Sequence, residues 1–295
     1  AYVAQRGTVV LHGGYTDSPT SYATDLWEWN GVTWRAITAA PAPIRANHVM
    51  VHDPVRNKTF EVGGFTDTML GADTLQWDGT HWTSSARSLG NQVLGDAAFD
   101  LGRGLAVALT INPLGTIEWN GARWAMGPPP PGIDRPFGVA FDSNRARLVA
   151  AGTVPGGAVH TWEHDGTNWL PSTPTPSMPF GHLVYHVTRG RVLFVGATAL
   201  WEWNGAAWSL IASGAGSGLL GAAYDAGRNE LVIARSFTST TLRTSTWNGT
   251  AWTVMTSGTT ARLRAVWGSG TEEVFAVGDL GTALWYGGVG TQWVS

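Results

Sequence analysis

Trp29-Asn30-Gly31-Val32-Thr33-Trp34 is one copy of a pattern that recurs down the chain: an aromatic ring, then Asn-Gly or Asp-Gly, then a Trp. It returns as Trp77-Asp78-Gly79 to Trp82, Trp119-Asn120-Gly121 to Trp124, His164-Asp165-Gly166 to Trp169, Trp203-Asn204-Gly205 to Trp208, and Trp247-Asn248-Gly249 to Trp252. A seventh, degenerate copy runs from Tyr286-Gly287-Gly288 to Trp293. The second Trp comes back after 48, 42, 45, 39, 44 and 41 residues. Periods of this length mark solenoids and propellers, in which one supersecondary unit is repeated.

Asn-Gly and Asp-Gly tolerate positive φ, so each copy reads as a tight two-residue type I′ hairpin between two strands. The ring before the turn and the Trp after it then meet across the hairpin. Each could bury about 150–250 Å² between neighbouring units, several kcal/mol apiece at roughly 25 cal/mol per Å². The 17 Trp therefore read as packing rather than as ligand platforms.

Composition agrees with many short strands. The 39 Gly and 15 Pro suit turns, and almost no helix is expected. With 18 Lys and Arg against 21 Asp and Glu, there is no overall basic field of the kind that holds nucleic acid. Cysteine is absent, which excludes disulfides, thiolate metal sites and cysteine nucleophiles. No apolar run approaches the ~18 residues of a transmembrane helix.

The second unit shows the plan of every unit. His48 to His52 reads as an inner strand, Asp53 to Asn57 as a turn, Thr59 to Gly64 as a second strand, Asp73 to Trp77 as a third and His81 to Ser84 as a fourth. Four antiparallel strands, repeated seven times, predict an all-β fold, a seven-bladed β-propeller forming one domain over residues 1–295. The blades are expected at residues 1–40, 41–86, 87–128, 129–174, 175–213, 214–257 and 258–295. The first turn repeats as Asp-x-x-Arg at Asp53 and Arg56, Asp100 and Arg103, Asp142 and Arg145, and Asp225 and Arg228. Asp at the start of a turn is favoured for local hydrogen bonding, and that reading is preferred to a ring of ion pairs.

Arg45-Ala46-Asn47-His48 to Asp53, the strand ending in Gly63-Gly64, and Trp77-Asp78-Gly79 to Trp82 together resemble bacterial kelch-type repeats. His12-Gly13-Gly14 with Asp25-Leu26-Trp27-Glu28-Trp29 is the other good match. The double glycine is lost after the second unit, where Ala151-Gly152, Val195-Gly196 and Val277-Gly278 stand instead. The last unit, from Leu263 to Gly278, is similar to a different bacterial propeller repeat. The kelch-type resemblance implies a propeller and a binding role, and it transfers no site. Against Ala223-Tyr224-Asp225, only Ala1-Tyr2 remain of the first inner strand, and Trp293-Val294-Ser295 stops within the last outer strand, so a longer natural polypeptide is expected.

Connections alternate between the two faces of a propeller. One face gathers the short Asp-x-x-Arg turns and Asn-Gly hairpins, the other the long, irregular segments Tyr15 to Thr24, Phe65 to Ala72, Pro128 to Pro131, Pro171 to Pro179 and Phe237 to Arg243. Variable loops on a rigid scaffold are where binding resides. The candidate binding residues are therefore Tyr15, Asp17, Tyr22, Arg45, Phe65, Asp67, Arg135, Phe237, Arg243 and Arg264.

Histidines invite a metal reading. His48 with His52, and His182 with His186, lie four apart on predicted strands, which separates each pair by about 13 Å. That is too far for two ligands of one ion. Histidines of different blades converging on the central channel are the alternative, but partly buried histidines bonded to backbone are the preferred reading, and no metal site and no cofactor are expected. Glu28, Glu118, Glu163 and Glu202, with Gln76, share one place in successive units and read as polar partners between blades. No Gly-x-Ser-x-Gly elbow, phosphate loop or calcium loop occurs.

The sequence thus points to a non-catalytic recognition or scaffold module that holds a protein partner, or sits in a larger assembly, and is exported to the periplasm, cell surface or medium. A carbohydrate-binding lectin with Trp and Tyr stacking sites is the alternative. It predicts solvent-facing repeat Trp, whereas the scaffold predicts buried ones. A lyase or hydrolase at the channel mouth is a third reading.

Overall fold

The computed structural model describes residues 1–3, 5–14, 23–29, 34–38, 43–46, 48–66, 71, 73–87, 93–172, 181–213, 219–226, 228–238, 241–256, 259, 263–268, 274–278, 282–287 and 293. Two compact units divide the chain, Ala1–Ser172 and Thr173–Ser295. All secondary structure among the described residues is strand. No helix is long and apolar enough to cross a membrane.

The first unit holds four sheets, each an antiparallel meander in chain order. The first sheet is Tyr2–Val3, Thr8–His12, Leu26–Trp29 and Trp34–Ala36. The second is Val49–Asp53, Lys58–Val62, Asp73–Trp77 and Trp82–Arg87. Val93–Asp100, Leu105–Asn112, Leu114–Trp119 and Trp124–Gly127 form the third, and Arg135–Asp142, Arg147–Thr153, Val159–His164 and Trp169–Pro171 the fourth.

The second unit holds three more. Its first sheet is Gly181–His186, Arg191–Gly196, Ala199–Trp203 and Trp208–Ser213, and its second is Leu219–Asp225, Glu230–Thr238, Thr241–Trp247 and Trp252–Thr256. Leu263–Gly268, Val274–Gly278 and Ala283–Tyr286 make a three-stranded sheet among the described residues.

The recurrent hairpin forms where expected, but with a different turn. Trp77 pairs with Trp82, Trp119 with Trp124, Trp203 with Trp208 and Trp247 with Trp252. Four residues therefore lie between the paired positions, not two. Only the glycine takes positive φ, as at Gly79 (102°) and Gly121 (94°). The preceding Asp or Asn closes the loop with its side chain instead: Asp78 Oδ1 accepts from the Thr80 and His81 amides at 2.7 and 2.8 Å. Asn120, Asp165, Asn204 and Asn248 repeat this Asx capping.

The pairing brings the two rings together, with centroids 5.4 Å apart for Trp77 and Trp82, 5.3 Å for Trp119 and Trp124, and 5.4 Å for Trp203 and Trp208. Trp77, Trp119, Trp203 and Trp247 are fully buried. Trp124, Trp169, Trp208 and Trp293 are buried too, while Trp82 and Trp252 keep part of their surface. The second Trp is a rivet between sheets: Trp124 Nε1 donates to Thr74 Oγ1 of the preceding sheet at 2.5 Å and its ring meets Phe60 there edge-on. In the second unit Trp293 Nε1 makes the same bond to Thr244 Oγ1 at 2.6 Å. Apolar residues of adjacent sheets fill the space between, for example Val51, Phe60 and Val62 with Ala106, Ala108 and Ile117.

The first turns combine both readings of Asp-x-x-Arg. Asp53 Oδ1 caps the turn by accepting from the Val55 and Arg56 amides, and its Oδ2 pairs with Arg56 at 2.7 Å. Asp100 with Arg103, Asp142 with Arg145, and Asp225 with Arg228 pair at the same 2.7 Å. The repeated glutamates complete this cluster with the arginine of their own sheet. Arg103 reaches Glu118 at 2.6 Å, Arg145 reaches Glu163 at 2.6 Å, Arg189 pairs with Glu202, and Arg6 with Glu28 at 3.2 Å.

It is the arginine that crosses to the next sheet. A Cβ at Gly79 would strike the Arg6 guanidinium, and one at Gly121 would strike Arg56. In the second unit Arg189 lies over Trp247 (5.6 Å) and Arg228 over Tyr286 (5.1 Å).

Candidate functional site

Of the candidate binding residues, Tyr15, Asp17, Tyr22 and Asp67 lie outside the described residues. Phe237, Arg243 and Arg264 are placed by their backbone alone. The segment read as a loop from Phe237 to Arg243 is largely hairpin, since Glu230–Thr238 and Thr241–Trp247 pair as far as Thr238 with Thr241. Arg264 falls within Leu263–Gly268, at a register shift between Leu263 and Ala265. Arg135 opens its strand and is exposed.

Phe65 is 38 % exposed and pairs its backbone with Ala46, amide to carbonyl both ways at 3.0 and 2.8 Å. At the corresponding connection of the third sheet, Leu114 is 37 % exposed, a residue the sequence reading passed over.

Arg45 is not an accessible binding residue. Its side chain is 1 % exposed, donating to the Gly63 carbonyl at 3.0 Å and to Asp73 Oδ1 at 2.6 Å. Burial pushes the half-exposed Asp73 carboxyl up, but the Arg45 hydrogen bond and charge outweigh it and hold the group below its usual value.

The two double glycines explain why Arg45 goes under. Gly13 and Gly14 have φ of 65° and 112°, Gly63 and Gly64 of 70° and 78°. The Gly14 amide donates to the Arg45 carbonyl at 2.9 Å, and a Cβ on Gly64 would collide with the Ala46 carbonyl and the His48 backbone. The segment from Arg45 to His48 can lie this close only because both strand ends lack side chains.

That close approach assembles a cluster the spacing argument missed. His12, last residue of its strand in the first sheet, meets Glu61 of the second sheet, with Nδ1 and Oε1 2.7 Å apart. His48, carried on the segment between the glycine pairs, places Nε2 3.6 Å from the same Oε1. One donor atom from each of the three residues lies within 4.8 Å of the other two. Trp82 covers His12 with ring centroids 4.8 Å apart.

His12 and Glu61 are fully enclosed, and His48 keeps 9 % of its side chain exposed. His12 Nε2, His48 Nδ1 and Glu61 Oε2 are buried without a hydrogen-bond partner among the described residues. Burial lowers His48, and the charges of His12 and Arg45 act the same way against the opposing pull of Glu61. For Glu61, burial acts upward and is outweighed by His48, the His12 hydrogen bond and Arg45, so the group stays below its usual value. The cluster therefore offers a neutral His48 imidazole and an ionised Glu61 carboxylate at neutral pH. His52, which the strand spacing sets too far from His48 to share an ion, turns instead to Thr59 Oγ1 (3.2 Å) and Gln5 Oε1 (2.7 Å).

No family model and no curated protein sequence matches the chain. Solved structures do. The chain is similar to a structure described as YCF48 bound to D1 peptide, at 15 % identity and a TM-score of 0.58, over 83 % of this chain and 80 % of that one. It is also similar to a chain of a nidogen/laminin complex, at 14 % identity and a TM-score of 0.58, over 88 % and 97 %. A streptogramin B lyase aligns at 9 % identity and a TM-score of 0.60, over 81 % and 82 %. The fold is a β-propeller of four-stranded antiparallel blades. At these identities the likeness speaks for architecture, and in this propeller the repeat Trp are chiefly structural.

Proposed function

We propose that this propeller is a non-catalytic recognition module, seven-bladed and kelch-like, that holds a protein or peptide partner on the irregular connections between second and third strands. The observation that carries the reading is the exposure of Phe65 and Leu114 on the second-to-third connections of adjacent sheets in the first unit. The repeated first turns expose Val55 and Leu101 too, but there the flanking charges pair with one another. Apolar side chains raised on rigid strand ends suit the desolvated core of a protein interface. Propellers of similar architecture include one described with a bound peptide and one described in a protein complex, which supports the reading.

Affinity capture from the native source tests it, comparing the intact chain with the Phe65→Asp/Leu114→Asp double variant, beside a glycan array. A stoichiometric protein retained by the first and lost from the second, with unchanged melting and a blank array, is the expected result. Equal capture by both chains contradicts the proposal, and saccharide binding on the array replaces it with the lectin reading.

A further inference from the structure

We propose that His12, His48 and Glu61 form a binding site for one divalent transition-metal ion of the zinc class, joining the first and second sheets. Two imidazole nitrogens and a carboxylate oxygen are a donor set that such ions prefer, and they leave a fourth position open. His12 comes from the first sheet, Glu61 from the second, and His48 from the segment leading into the second.

The geometry suits the ion. Bonds of about 2.0–2.2 Å place tetrahedral ligands roughly 3.4 Å apart. The two separations from Glu61 Oε1, 2.7 Å to His12 and 3.6 Å to His48, bracket that spacing. All three donor atoms lie within 4.8 Å of one another, so the widest gap would close by up to about 1.4 Å on an ion.

The protein alone serves the cluster with one short hydrogen bond, between His12 Nδ1 and Glu61 Oε1, the two atoms that with His48 Nε2 would hold the ion. The remaining polar atoms, His12 Nε2, His48 Nδ1 and Glu61 Oε2, are buried with no partner among the described residues. Glu61 supplies the negative charge, and the nearby Arg45 is neutralised by its own pair with Asp73. His48, the least enclosed of the three, marks the side from which an ion and its fourth ligand enter. At the end of the second strand a double glycine stands only in the first two units, and among the described residues this is the one such cluster.

The test is calorimetric titration of the chelator-treated intact chain with Zn²⁺, with a thermal melt of each state. One equivalent should bind and raise the melting temperature. Removing an outer-shell partner already costs about 10–100-fold in metal affinity, so His48→Ala and Glu61→Gln are each expected to weaken binding by ~100-fold or more. His81→Ala, at an exposed hairpin away from the cluster, should leave binding unchanged.

Binding that is equally tight in the His12→Gln/His48→Gln variant, or that is lost with His81, overturns the proposal. Should the variants fail to fold, Co²⁺ with the unmodified chain decides. An intense ligand-field spectrum displaced by one equivalent of Zn²⁺ supports the site, and the weak spectrum of the hydrated ion rejects it.

Discussion

Trp124 shows what one residue of the repeat contributes. Its ring lies against Trp119 in its own sheet and Phe60 in the sheet before, and its indole N–H bonds Thr74 there. Trp124→Ala should cost about 3–5 kcal/mol in a denaturant melt, as for other aromatic truncations in cores, and a loss below about 1 kcal/mol would remove it from the inter-sheet packing. His186 is a second telling residue, because it stands where four other first turns carry Asp. Its Nδ1 accepts from the Arg189 amide, and its ring stacks on Tyr224 with centroids 4.1 Å apart. Burial, then the Arg189 charge, lowers its pKa to about 4.

The folded chain therefore binds this proton less readily than the unfolded chain, whose His titrates near 6.5. His186 contributes stability above about pH 6.5 that is lost as pH falls toward about 4. Between about pH 7 and pH 5 the loss should be about 2 kcal/mol. His186→Asp, which restores the common turn residue, should flatten that part of the stability profile; an equally steep profile in the variant would show that His186 does not set it. The sequence displayed this histidine openly, but its role depends on Tyr224 from the adjacent sheet, which only the assembled fold supplies.

At the scale of the element, the first turn and the third strand act together. Arg103 pairs with Asp100 three residues earlier and with Glu118 on the third strand, all three partly or fully buried. A double-mutant cycle on Arg103→Ala and Glu118→Gln should show a coupling of about 0.5–2 kcal/mol, reduced by salt because the pair is partly accessible. Additive losses would mean that Arg103 serves only its turn.

Asp-x-x-Arg was readable as a turn because the capping is local. Its partnership with Glu118 was not, since it depends on strand register across 15 residues. The Asn-Gly hairpin shows the converse. Its position and ring pairing were legible from the repeat. Its four-residue, Asx-capped form was not, because Asn-Gly serves either turn and only the observed pairing of Trp77 with Trp82 selects one.

For the whole molecule, a period of about forty residues with a fixed hairpin was enough to read the propeller architecture. What escaped the repeat were its departures. Arg45 reads from the sequence as a candidate on the irregular face, yet two double glycines draw its segment between sheets and bury it. His12, His48 and Glu61 lie at unlike positions of their units, so no periodic comparison aligns them. Only the crossing at the double glycines brings them within 4.8 Å.

The same contrast underlies the functional account, in which regular positions hold the fold and irregular connections face a partner. Hydrogen exchange on the chain with and without its captured partner tests this most directly. Protection is expected at Gly63 to Thr66 and Asn112 to Leu114, with the hairpins at Asp78 to His81 and Asn120 to Arg123 unchanged. Protection confined to those hairpins, with the Phe65 and Leu114 connections unaffected, would contradict it.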